Sequence, residues 1–123
     1  MKRGFTLVEM VVVVMIIGIL SGIGLPLYLK ARRNTFDKDA KATLKIIKAA
    51  EKMKEFETSR YVACSNTSVC RQALRLDLPR ESVWDFSVIL TDDFCAKAVG
   101  NKGTSNWHID LDMEEPAPGD VCN

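Results

Sequence analysis

RGFTLVEMVVVVMIIGIL, residues 3–20, is an almost unbroken hydrocarbon run that carries a carboxylate at Glu9. Across residues 5–29 only Thr6, Glu9, Ser21 and Tyr28 bear polar side-chain atoms. At 1.5 Å per residue these residues make a helix of roughly 37 Å, enough to span a bilayer. A lone ionised acid at the middle of such a helix costs on the order of 3 kcal/mol, and an acid in that setting normally has a partner. No lysine or arginine lies within residues 5–29 to serve as one.

Two ordinary readings leave Glu9 unexplained. A cleaved secretory signal would use the basic Lys2 and Arg3, but its apolar core should be shorter and end in small neutral residues. Here the run ends in GIGLPLYLKARR, which is basic. A plain transmembrane anchor fits the length, with Lys2 and Arg3 on one side and Lys30, Arg32 and Arg33 on the other. Counting charges therefore leaves its orientation open.

KRGFTLVEM followed by the apolar helix resembles the N-terminus of type IV pilins and the related secretion pseudopilins. The resemblance covers residues 3 to about 28. It implies a leader, residues 1–4, removed between Gly4 and Phe5 by a membrane-embedded aspartic peptidase that also methylates Phe5. Glu9 becomes the fifth residue of the mature chain, neutralising the terminal amine of a neighbouring subunit during assembly. Gly18, Gly22, Gly24 and Pro26 match a stretch that partly unwinds in filaments of this family. Their weak helix propensity, about 1 kcal/mol for glycine and 3 for proline, permits that, and small residues also serve close helix packing in membranes. The implied partners are further copies of the chain, the peptidase and methyltransferase, and the inner-membrane assembly machinery. The implied location is the inner membrane before assembly, with the head in the periplasm, and the cell surface afterwards.

Beyond the apolar run the charge is divided. Residues 30–60 hold ten Lys/Arg against five Asp/Glu, and residues 61–123 hold five against ten, although the whole chain is only +1. A basic stretch beside an apolar span suits anionic lipid or an acidic neighbour. The excess is too small and too interleaved for nucleic-acid binding. Residues 30–58 lack Gly and Pro and are rich in Ala, Lys and Glu, so the helix should continue to about residue 58. Phe36, Ala40, Leu44, Ile47 and Ala50 recur at helical spacing, and the stripe then drifts to Ile46, Ala49, Met53 and Phe56. Glu51, Glu55, Lys41, Lys45 and Lys48 read as a solvated surface.

The remaining residues, 59–123, read as a small globular head. A short helix or turn is expected over residues 71–77, then β-like runs at 84–90, 95–99 and 107–113 between the turn clusters TDD and GNKGTSN. Period-two alternation in WHIDLDM turns Trp107, Ile109, Leu111 and Met113 towards the helix and His108 outward. The tail EEPAPGDVCN should be a loop. The expected fold class is thus α+β and pilin-like: a long N-terminal helix, apolar in its first half (residues 5–29) and amphipathic in its second (30–58). A three- or four-stranded antiparallel sheet packs on that second half.

Cys64, Cys70, Cys95 and Cys122 form an even set in a short domain behind an export-like N-terminus, which favours two disulfides over metal ligation. Of three pairings, Cys64–Cys70 and Cys95–Cys122 are preferred because each closes a local loop, and the second resembles the family's carboxyl-terminal disulfide. Asn66-Thr67-Ser68 matches a glycosylation acceptor but reads better as a polar turn. Asp110 and Asp112, with neighbouring acids, are weak candidates for Ca²⁺, because no fixed loop spacing accompanies them. Neither a serine–histidine–acid set nor an activated cysteine is present, so no catalytic site and no cofactor are expected. The readings left open are a type IV pilus subunit, a type II secretion or competence pseudopilin, and a membrane-anchored binding domain that never polymerises.

Overall fold

The computed structural model describes residues 4–80, 83–91, 93–101, 105–119 and 122. Lys2 and Arg3 of the expected leader, Asp92 of the first turn, residues 102–104 of the second and Asp120 of the tail lie outside the described residues. The chain divides into two units, Met1–Asn34 and Thr35–Asn123, and helix α1, Leu7–Thr58, contributes to both. Phe36 is the first residue of α1 in the apolar set packed on the core of the second unit.

In the first unit every described residue is exposed, the large apolar ones included. This part of α1 is long and apolar enough to cross a membrane. Pro26 lies inside the helix without ending it. Its nitrogen cannot donate to the Gly22 carbonyl, so one bond of the helical ladder is missing there.

In the second unit α1 buries Ala40, Thr43, Leu44, Ile47 and Glu51, a face repeating every three or four residues. Strands β1 (Trp84–Leu90), β2 (Phe94–Gly100), β3 (Trp107–Asp110) and β4 (Ala117–Pro118) form one antiparallel sheet in the order β1-β2-β3-β4. Trp84, Phe86 and Val88 alternate with outward residues along β1, and Phe94, Ala96 and Ala98 along β2, so one sheet face meets α1. Burying each large side chain contributes about 1.5–3 kcal/mol. Two indoles fix the helix to the sheet: Trp84 Nε1 donates to the Phe36 carbonyl (3.1 Å) and Trp107 Nε1 to Asp37 Oδ1 (3.3 Å). Ile109 is fully buried, and Trp107, Leu111 and Met113 pack half-buried on the core, as the alternation requires.

Several expectations change. The short helix α2 is Thr67–Leu74, earlier than residues 71–77. Asn66 caps it by accepting from the Val69 N–H, and Arg75 ends it in the left-handed conformation (φ 52°). Strand β3 stops at Asp110, opposite Cys95, short of the expected residue 113. The tail is more than a loop: Ala117 and Pro118 pair with His108 and Trp107 as an edge strand, where a proline without an N–H is tolerated. His108 does point away from α1, yet it is 8% exposed, because Gly119 (φ +115°) turns the tail over it and its Nδ1 meets the Gly119 carbonyl at 3.2 Å.

The stripe on α1 does not drift. Ile46, Ala49, Met53 and Phe56 are exposed on the side opposite the sheet, and Glu51 takes the buried position that continues the core face. The lysines are not a free solvated row either. Lys41 lies over the Trp107 ring (4.0 Å), Lys45 pairs with Glu115, and Lys48 donates to the Met113 carbonyl.

Candidate functional site

At the N-terminus Gly4, Phe5 and Thr6 lie ahead of the helix and are exposed, and α1 starts at Leu7. Thr6 and Glu9 close on each other. Glu9 Oε2 accepts from the Thr6 N–H (2.9 Å) and from Thr6 Oγ1 (2.8 Å), and the Glu9 N–H donates back to Thr6 Oγ1 (3.3 Å). This is a capping box, T-x-x-E, in which two otherwise orphaned donors of the first turn are satisfied reciprocally. Thr6 was not singled out from the sequence, although the spacing of threonine and glutamate carried the signal. The carboxylate therefore has partners within the single chain. It stands one turn from Phe5.

Gly18, Gly22 and Gly24 lie further along the same exposed helix. A Cβ at any of them would meet nothing within 4 Å. Nothing in the single chain demands glycine there.

In the head the structure joins Cys64 to Cys70 and Cys95 to Cys122. The first bridge ties α2 to the segment before it, and Cys64 also pairs with Val88 across the free edge of β1. Asn66 and Thr67 of the glycosylation-like triplet are used internally. Asn66 caps α2, while the Thr67 N–H and Oγ1 both donate to Asp85 Oδ1 (3.0 and 2.8 Å).

The acids 110–115 are turned largely to the lysines of α1. Burial pushes the Lys48 ammonium below its ordinary value and Lys52 adds to that, while Asp112, Asp110 and Glu114 oppose it. Asp110 and Asp112 share a polar cleft of about 200 Å³ with Thr91 and Asp93, and Asp110 Oδ1 is buried without a hydrogen-bond partner among the described residues. The donors closest to Asp110 are the sulfurs of Cys95 and Cys122, and both are consumed in the disulfide.

Glu51 was misread as a surface residue. It is fully buried, its Oε2 accepts from the Val62 N–H (2.9 Å), and its Oε1 has no hydrogen-bond partner among the described residues. Desolvation raises its carboxyl above the usual range, against the lowering effect of the Val62 bond.

Residues 1–25 match the family model of the prokaryotic N-terminal methylation motif. Over 65 residues the chain is 41% identical to the type IV major pilin protein PilA of Myxococcus xanthus. At its N-terminus the chain is thus similar to a type IV pilin. That alignment takes in 53% of this chain and 30% of the Myxococcus protein, so the chain spans under a third of the length of the pilin it matches. No solved structure matches the chain. The pilin-type N-terminus and the long apolar helix followed by a small antiparallel sheet form one consistent α+β architecture.

Proposed function

We propose that the chain is a structural subunit of a type IV pilus filament, processed between Gly4 and Phe5, methylated at Phe5 and polymerised through the first half of α1. The observation that carries this reading is the capping box at Glu9 beside an exposed Gly4–Phe5 bond ahead of the helix, inside a matched methylation motif. Cleavage creates an amine at Phe5. In a polymer Glu9 receives such an amine from the neighbouring copy, and the cost of a carboxylate in an apolar surrounding is offset by the pair. The apolar surface of residues 5–29 leaves lipid for the surfaces of identical helices. Glycines that nothing in the single chain requires then serve the closer approach of those helices, and Gly18, Gly22, Gly24 and Pro26 form the segment able to unwind on assembly. The partners of this reading are the peptidase that cuts and methylates, the inner-membrane machinery, and the chain itself. The head of residues 59–123, with its two disulfides, faces the periplasm and afterwards the filament surface.

The test is the assembly of a Glu9→Ala chain against wild type, read as sheared filament per cell at equal membrane content of subunit. A drop of about tenfold or more is expected, equivalent to about 1.4 kcal/mol per added subunit. Equal filament yield from the variant contradicts the pairing.

A further inference from the structure

Cys95 and Asp110 stand opposite each other in the register of β2 and β3, so their side chains share a sheet face. It is the face turned away from α1, since Cys95 alternates with Phe94 and Ala96 of the core. The tail brings Cys122 onto the same spot. A carboxylate oxygen of Asp110 and the sulfurs of Cys95 and Cys122 all lie within 4.8 Å of one another. Cys95 is buried and Cys122 and Asp110 are half-buried. Cys95 and Asp110 line a cleft of about 200 Å³ together with Asp93 and Asp112. Asp110 Oδ1 has no hydrogen-bond partner among the described residues. A buried carboxylate oxygen left bare is costly, and such an atom points to an ion or a redox role.

In the disulfide form the two sulfurs are spent on each other. In the thiol form the same three groups are two soft sulfur donors and a carboxylate, placed to close on one ion. We propose that Cys95, Cys122 and Asp110 bind Zn²⁺ when this disulfide is reduced, so that the tail is tied to β2 and β3 by the metal in one redox state and by the S–S bond in the other. A dithiol reductant supplies the two electrons and two protons. The S–S bond breaks, two thiols form, and the dithiol closes to its own disulfide. Attack falls on the half-buried sulfur of Cys122, the more accessible of the two. Zn²⁺ then displaces both thiol protons as two Zn–S bonds form at about 2.3 Å, with the Asp110 oxygen at about 2.0 Å. Donors on one tetrahedral zinc stand about 3.5–3.8 Å apart, a spacing that the sulfurs reach once the bond between them is gone. The donor set selects the ion. Ca²⁺ and Mg²⁺ take oxygen throughout, whereas Zn²⁺ accepts sulfur and oxygen together. Two thiolates and a carboxylate leave the occupied site with one negative charge, and Lys48 of α1 lies within electrostatic reach of Asp110 and Asp112 to answer it.

The test uses the full-length chain in detergent, reduced with a phosphine so that no added thiol competes for the ion. Titration with Co²⁺, a spectroscopic substitute for Zn²⁺, is expected to saturate at a single equivalent with a thiolate-to-metal charge-transfer band that Zn²⁺ abolishes. The disulfide form is expected to give no such band. Asp110→Asn should weaken binding about tenfold or more, since even an outer partner of a metal site is worth that much. Cys95→Ser with Cys122→Ser should remove the band, and Cys64→Ser with Cys70→Ser should keep it. Zn²⁺ should also raise the melting temperature of the thiol form and leave that of the disulfide form unchanged. A reduced head that had come apart would bind the ion through loose thiols without regard to Asp110. Equal affinity in Asp110→Asn therefore overturns the inference, as does the absence of a thiolate band or a band that follows Cys64 and Cys70. The filament reading is untouched by any of these results.

Discussion

Glu51 is the residue whose placement is least expected and most consequential for the head. Its carboxyl is buried beside Ile47, holds the Val62 N–H with one oxygen and leaves the other unbonded among the described residues. A group whose folded value is raised above its unfolded value favours folding in its protonated form. That contribution is complete below the ordinary carboxylate range and is lost as pH rises through the raised value. The wild-type head should therefore lose stability as pH rises from the ordinary carboxylate range towards neutrality, and Glu51→Gln should show a flatter profile across that window. Denaturant unfolding of the two full-length chains in detergent at a series of pH values reads the difference; parallel profiles would contradict it. Nothing along the chain marked Glu51 as buried, because an acid amid Lys52 and Lys54 reads as surface until the sheet is placed over it. Glu9 was legible for the opposite reason: its setting is set by a run of apolar neighbours along one helix, which needs no tertiary contact to recognise.

Among the elements, α1 and the sheet were legible to different depths. The length of α1 follows from composition, and β1 follows from a bounded alternating run. Which apolar row of α1 faces the sheet does not follow, since Ala40-Leu44-Ile47 and Ile46-Met53-Phe56 have the same periodicity and lie on opposite sides. The choice is made by the indoles, with Trp84 and Trp107 reaching Phe36 and Asp37. Removing a core side chain from the chosen row, Ile47→Ala, should cost about 2–5 kcal/mol. Met53→Ala on the opposite row should change head stability by less than about 0.5 kcal/mol. Thermal unfolding of both variants checks the contrast, and equal losses would contradict the assigned face. The disulfides should also rank by loop size. By the loop-entropy relation, a separation of 27 for Cys95–Cys122 corresponds to about 3–4 kcal/mol and a separation of 6 for Cys64–Cys70 to about 2 kcal/mol. Paired serine substitutions, measured by unfolding, should reproduce that order; a larger loss from the shorter loop would contradict it.

For the whole molecule the two units divide the work that the sequence divided by composition. The first presents an apolar helix with every described side chain exposed, a surface that only lipid or other helices can cover. The second holds a core of its own, closed by two disulfides, with the excess acid of its tail partly spent on Lys45 and Lys48 of α1. The N-terminal motif was readable because motif and helix are local. The head's contacts were not, because they depend on strands brought beside a helix from distant parts of the chain. The central claim is that Gly4 and Phe5 are parted and that Glu9 then answers a new amine. Intact-mass and N-terminal peptide mass spectrometry of the chain purified from its own membranes tests this most directly. The account predicts a chain that begins at Phe5 and carries one added methyl group; a chain that still begins ahead of Phe5, or begins at Phe5 without the methyl, would contradict it.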